Sequence, residues 1–171
     1  MSFGKSANDF LLAREGRQAI LSEVLRPGEW GKQRATVFLS LNNPGPDKSL
    51  PGSDVLFKWM LGELFVVFPE LTPVVEGRDA LGPYALASLD MDPVELKKRC
   101  IELETSCAAG RLIDLDVYSA RGIQIDRQHL SLPGRVCLVC DQAAVECIRN
   151  KRHSFDEVIG KVNELLTPFR A

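Results

Sequence analysis

The sequence predicts an α+β fold, a mixed and largely antiparallel sheet with flanking helices. Three observations predict it. The β-rich segments are short and separated by turn residues, which suits hairpins better than long crossovers. Helical apolar stripes stand both before and after them. Across 171 residues there is no internal repeat, low-complexity tract or inter-domain linker, so residues 1–171 read as a single domain, with 132–171 a C-terminal helical subregion carrying Cys and His.

The elements follow in order. Leu11, Leu12, Ile20, Leu21, Val24 and Leu25 form the apolar stripe of a helix over 7–25, stopped by Arg26-Pro27-Gly28. Arg14 and Arg17 lie on one face of it, which from spacing alone reads as a solvated face. Residues 35–41 are a strand. The turn Asn42-Asn-Pro-Gly-Pro-Asp-Lys48 is stiffened by its prolines, while Gly45 permits close approach by a ligand; a loop ending in Lys48 suits a phosphate, or is simply stiff. Residues 53–68 are a helix, 72–76 and 83–89 strands around a Gly-containing turn. Asp92-Pro93-Val-Glu95 opens a helix that runs to about Glu104. Residues 111–117 are a strand, 119–122 a turn and 123–127 the returning hairpin partner. Residues 135–140 form a short strand or knuckle; 141–149 and 154–166 are helices, the second opened by the capping box Ser154 and Glu157.

Composition narrows the function classes. With 45% hydrophobic and 26% charged residues the chain is of ordinary globular type, and its formal charge of −2 argues against bulk nucleic-acid binding. Basic residues do predominate over 121–153. The best membrane-span candidate, 61–75, is interrupted by Glu63, Pro69, Glu70 and Pro73, and the N-terminus lacks a secretory apolar run. Five cysteines without an export signal suggest reduced thiols or metal ligands and a cytoplasmic location.

The segment Gly110-Arg-Leu-Ile-Asp114-Leu-Asp116-Val117 carries the chemistry. On a strand, residues i and i+2 share a face, so Asp114 and Asp116 project from one side and Leu115 and Val117 pack on the other. Two adjacent carboxylates repel unless a cation sits between them, and Mg²⁺ takes hard oxygen ligands together with substrate phosphates. Gly110 allows close backbone approach and Arg111 offers a donor fork for phosphate oxygens. Displacement at phosphorus is the chemistry such a site serves. Asp-x-Asp also occurs on plain solvated strand faces.

Several stretches resemble the holo-citrate lyase synthase family, also called apo-citrate lyase phosphoribosyl-dephospho-CoA transferase. They are Glu102-Leu-Glu104, the segment 110–117, Leu132-Pro-Gly-Arg-Val-Cys137-Leu-Val-Cys140 and Cys147-Ile-Arg-Asn-Lys-Arg-His153. Arg14-Glu-Gly-Arg17-Gln18 and Asn43-Pro-Gly-Pro-Asp-Lys48 are similar to two further family stretches, so the likeness spans nearly the whole chain.

The resemblance implies a nucleotidyltransferase-like fold and a reaction. The enzyme would join 2′-(5″-triphosphoribosyl)-3′-dephospho-CoA to a serine of the citrate lyase acyl carrier (gamma) subunit, with loss of diphosphate. The malonate decarboxylase counterpart performs the same chemistry with an Asp-x-Asp pair. Asp114 and Asp116 would be catalytic and hold Mg²⁺; Gly110 and Arg111 would meet the triphosphate, with Arg14, Arg17 and Lys48 as further phosphate contacts. Glu102, Glu104 or Asp126 would complete the metal site or accept the serine proton. Relatives commonly read His-Pro-Leu-Gly-Arg where this chain has Cys107-Ala-Ala-Gly110-Arg111, which leaves a non-catalytic module that binds the carrier or a CoA nucleotide as the alternative.

Cys137-x2-Cys140-x6-Cys147-x5-His153 supplies four ligand types suited to a structural Zn²⁺ site; buried thiols packing as small apolar residues are the other reading. Cys100 reads as core.

Overall fold

A run such as Ala35-Thr-Val-Phe-Leu-Ser-Leu41, apolar at nearly every position, is stable only where both faces of a strand are covered. In the computed structural model, which describes residues 6–26 and 34–170, that strand is the middle of the sheet. The elements are α1 (Ala7–Val24), β1 (Arg34–Leu41), α2 (Ser53–Val67), β2 (Thr72–Asp79), β3 (Gly82–Asp90), α3 (Pro93–Thr105), β4 (Ile113–Ser119), β5 (Gln124–Ile125), α4 (Ala144–Arg149) and α5 (Phe155–Leu166). The strands lie in the order β2-β3-β1-β4-β5 and every pairing is antiparallel. The α+β expectation therefore holds, with a sheet more uniformly antiparallel than the mixed one expected.

Period-two alternation divides the sheet into two faces. Ala35, Val37, Leu39 and Leu41 of β1 join Ala85, Ala87 and Leu89 of β3 and Ile113, Leu115 and Val117 of β4. Leu56, Met60 and Leu64 of α2, Leu96 and Cys100 of α3, and Val162 and Leu166 of α5 cover that face, forming the main core. On the opposite face, Phe38, Tyr84 and Leu86 pack against Leu21 of α1. Each fully buried Leu or Met of the main core contributes about 1.5–3 kcal/mol of burial. The helix starts are set as expected: Ser154 and Glu157 form a capping box on α5, and Asp92 caps α3 ahead of Pro93.

Four expectations need correction. Leu11 and Leu12 are more than half exposed, because the apolar contact of α1 is made by its later turns. The strand expected from Arg111 begins at Ile113; Ala108–Leu112 is a short 3₁₀ helix that carries the chain off α3. The return of 123–127 shrinks to the two residues of β5. The helix expected over 141–149 starts at Ala144, and 135–143 forms a knuckle closed by a single bridge, Val136 to Ala143. The Pro27-Gly28 stop and the reading of residues 1–5 lie outside the described residues. No helix among the described residues is long and apolar enough to cross a membrane.

The brevity of β5 has a structural price. On an edge strand, alternate residues turn both N–H and C=O outward. β5 pairs only with Val117 and Tyr118, leaving Ile113 and Leu115 to find partners elsewhere. Charged side chains supply them: Glu104 accepts from Leu115 N–H at 2.9 Å, Lys97 donates to Leu115 C=O at 2.6 Å, and Arg135 donates to Ile113 C=O at 3.0 Å. Burying a polar group is tolerable only with such partners.

Candidate active site

Asp114 pairs with Ser40 and Asp116 with Phe38 across the β1–β4 ladder. Both carboxylates therefore leave the sheet on the face opposite the main core, as the i, i+2 spacing predicts. They open into a cavity of about 300 Å³ at the β4 edge. Lys97 and Glu104 from α3 also line it, with Asp126, Arg127 and Arg135 from the segment that follows β5.

Ion pairs tie these groups together. Arg135 reaches Asp114 at 2.7 Å and Glu104 at 2.8 Å, and Arg127 reaches Glu104 at 3.3 Å. Glu104 is only 3% exposed, so its charge rests on those guanidiniums and on the Leu115 N–H. Gln124 donates to Asp116 at 3.0 Å. Four carboxylates face three cations around the cavity, a balance that leaves a negative excess at the aspartates.

Both aspartates are weaker acids than usual, and burial is the first cause. Burial raises the Asp114 carboxyl above the usual carboxylate range, with Asp116 and Glu104 adding to the rise and Arg135 opposing it. Burial likewise raises Asp116, against the pull of Lys97 and the Gln124 hydrogen bond. Two half-buried carboxylates made weaker acids by desolvation first, and by neighbouring carboxylates second, are what a divalent cation would relieve. The donor set, carboxylate oxygens in an open cavity with cations at hand for phosphates, fits Mg²⁺.

The other expected phosphate contacts lie elsewhere. Arg17 is engaged by Asp79, at 2.7 and 2.8 Å, and donates to Gly82 C=O at 2.9 Å. Its guanidinium also stands 4.9 Å from the Tyr84 ring centre. It staples α1 to the β2–β3 turn, so the arginine is neither solvated nor in the cavity. Arg14 is exposed on α1. Lys48 folds back to donate to Asn43 C=O within its own loop. The space beside Gly45 (φ +81°) is filled by the Phe155 ring, 2.7 Å from where a Cβ would stand.

Gly110 and Arg111 are explained by packing. A Cβ on Gly110 would meet the Glu104 carbonyl at 2.4 Å, so glycine lets the 3₁₀ turn sit on the end of α3. Arg111 donates to the carbonyls of Val136 and Cys137 and clamps the knuckle. Cys107, at the position where histidine was expected, is half-buried against the main core and lines no part of the cavity. Of the three candidate third carboxylates, Glu104 and Asp126 line the cavity and Glu102 is exposed outside it.

Sequence reasoning missed Lys97, Arg127, Arg135 and His129. Lys97 and Glu104 had a signal: seven apart, they fall on the same helical face as Cys100, and charges within an apolar stripe call for an explanation. His129 had none; its Nδ1 stands 2.7 Å from Asp126 Oδ1, and this hydrogen bond is the main cause holding the Asp126 carboxyl below its usual range. His129 lines a second cavity of about 460 Å³ beside Arg34, Ser119 and Arg121.

The four Cys and His of the C-terminal region do converge. Their ligand atoms all lie within 4.8 Å of one another. Cys140 and Cys147 meet through the knuckle, since α4 begins after Cys140 and a shared helical face is not what joins them. Cys100 is fully buried in the main core, as expected.

The family model described as apo-citrate lyase phosphoribosyl-dephospho-CoA transferase matches residues 5–169. A protein of that name from Citrobacter koseri is 32% identical over 167 residues, covering 94% of this chain and 88% of its own length. Proteins of the same name from Shigella flexneri and Escherichia coli O1:K1 are each 30% identical with the same coverage.

Proposed function

Because the chain belongs to the apo-citrate lyase phosphoribosyl-dephospho-CoA transferase family, we propose that it modifies the citrate lyase acyl carrier (gamma) subunit. The group transferred is 2′-(5″-phosphoribosyl)-3′-dephospho-CoA, taken from its triphosphoribosyl precursor and joined to a carrier serine. The observation that carries this reading is the cavity that holds Asp114 and Asp116 beside Lys97, Arg127 and Arg135. In a nucleotidyltransferase-type displacement, the serine oxygen attacks the phosphorus nearest the ribose. The bond from that phosphorus to the bridging oxygen breaks, and diphosphate leaves with the electron pair.

The chain's residues divide this work. Asp114 and Asp116 would hold Mg²⁺, which would draw charge off the phosphate oxygens. Arg127, Arg135 and Lys97 meet the negative charge that grows on the departing diphosphate. The phosphate role first expected of Arg14, Arg17, Lys48, Gly110 and Arg111 passes to these cavity cations. The serine proton goes to His129, oriented by the ionised Asp126 as in other carboxylate–imidazole pairs. The dephospho-CoA body is too large for a cavity of about 300 Å³ and extends into the second cavity, which Asp126 and His129 join to the first. The enzyme acts in the cytoplasm, where carrier and nucleotide meet.

Apo carrier, the triphosphoribosyl precursor and Mg²⁺ incubated with the protein should yield a carrier heavier by the prosthetic group in a mass spectrum. Binding of carrier and precursor without any mass gain would establish the non-catalytic alternative. Undiminished transfer by an Asp114→Ala, Asp116→Ala double variant would remove the metal assignment.

A further inference from the structure

The knuckle of residues 135–147 has no apolar core of its own. Val136 and Val145 are exposed, and α4 is only six residues long. A segment so poorly packed holds its shape through a cross-link or a metal. Its buried side chains are Cys137 and Cys147.

The distances favour a metal. Cys140 Sγ lies 3.5 Å from Cys147 Sγ and 3.2 Å from His153 Nε2. A disulfide needs about 2.05 Å between sulfurs. Four ligands at about 2.3 Å (sulfur) and 2.0–2.1 Å (nitrogen) around a tetrahedral centre stand roughly 3.4–3.8 Å apart. Val139 N–H points at Cys137 Sγ at 3.5 Å, a donation that suits a thiolate. Three thiolates and a neutral imidazole around Zn²⁺ leave one negative charge, and the Arg111 guanidinium sits on the Cys137 carbonyl beside it.

We infer that Cys137, Cys140, Cys147 and His153 bind one Zn²⁺, and that this zinc positions Arg135 in the carboxylate cavity. The second half follows from connectivity. Arg135 C=O accepts from Ala144 N–H at 2.9 Å, and Cys137 N–H donates to Gln142 C=O at 2.7 Å. Cys137 therefore sits on one strand of the small loop that presents Arg135, and Cys147 on the helix that continues the other; the Arg135 side chain ends on Asp114 and Glu104. The zinc assignment stands independently of the transfer reaction.

Elemental analysis of protein purified without chelator should give close to one zinc per chain, with all five cysteines titrating as free thiols after denaturation in chelator. Co²⁺ exchanged into the site should show the visible absorption of a tetrahedral thiolate complex, and Cys140→Ser should lose at least tenfold in Zn²⁺ affinity. If that variant does not fold, the wild-type chain stripped and titrated with Zn²⁺ against a competing chelator gives the same reading. Hydrogen exchange tests the positioning: stripping zinc should speed exchange across 132–149 and leave β1 and β3 unchanged. Absence of metal with melting unaltered by chelator, or three free thiols instead of five, would overturn the zinc site. Unchanged exchange over 132–149, or equal acceleration in β1 and β3, would overturn its role in holding Arg135.

Discussion

Replacing Glu104 by alanine is expected to be among the most damaging single changes in this protein, through stability before chemistry. The carboxylate is 3% exposed, accepts the Leu115 N–H at 2.9 Å, and pairs with Arg135 at 2.8 Å and Arg127 at 3.3 Å. Removing one partner of a buried ion pair costs about 3–5 kcal/mol, and an orphaned buried N–H alone costs about 1–3. The terms overlap, and Arg127 and Arg135 retain some solvent, so about 4 kcal/mol is expected. For 171 residues at about 2.1 cal/mol/K each, the unfolding entropy is about 0.36 kcal/mol/K, and the melting point should fall by about 11 °C. Glu104→Gln separates the causes. It keeps an acceptor for Leu115 and loses only the charge, so it should cost about half as much, roughly 1.5–3 kcal/mol for a hydrogen bond to a charged partner. Urea unfolding with matched slopes measures both. An alanine variant within 1 kcal/mol of wild type would refute the edge-capping argument, and glutamine equal to alanine would refute the division between charge and acceptor.

Asp116→Asn should melt above wild type at pH 7 in Mg²⁺-free buffer while abolishing transfer. Burial raises this carboxyl in the folded state, so it binds its proton more tightly folded than unfolded. Its favourable contribution is present at low pH and is lost as pH rises through the folded value, and calorimetry should show the variant's advantage shrinking toward acid. Mg²⁺ at about 100 times its Kd should stabilise the wild type by about 2.7 kcal/mol and the Asp114→Ala, Asp116→Ala variant not at all. Arg17→Ala breaks a half-buried double contact with Asp79 and should cost about 3 kcal/mol. Its KM for the triphosphoribosyl precursor should stay within about twofold of wild type, since a change that small is under 0.5 kcal/mol; a large rise would return Arg17 to the substrate. Gly110→Ala should destabilise by about 1–3 kcal/mol through the 2.4 Å approach to Glu104 C=O, visible in thermal melts.

Much of the fold could be read from periodicity and caps because those signals are local. The Ser154–Glu157 box and the Asp92-Pro93 start depend on residues within one turn of each other. Asp114 and Asp116 were legible for the same reason, two residues apart on one strand. The cations of the cavity were not, because they come from residues 97, 127 and 135, joined only when α3 and the segment after β5 meet at the β4 edge. Arg17, Gly110 and Arg111 show the converse. Arginine and glycine beside a candidate site suggest phosphate binding, yet their partners lie 62, 6 and 25 or 26 positions away and serve packing.

The two edges of the sheet are guarded against strand addition by different means. β2 carries Pro73, a bulge between Pro73 and Val75, and exposed charges at Glu76 and Arg78. At the other edge the guard is the trio Lys97, Glu104 and Arg135, which fill the outward hydrogen-bonding positions of Ile113 and Leu115. Those same charges set the electrostatics around Asp114 and Asp116. Any redesign of substrate preference through them therefore exposes a hydrogen-bonding template to neighbouring molecules. Variants at these positions should be screened for self-association before a loss of turnover is assigned to chemistry.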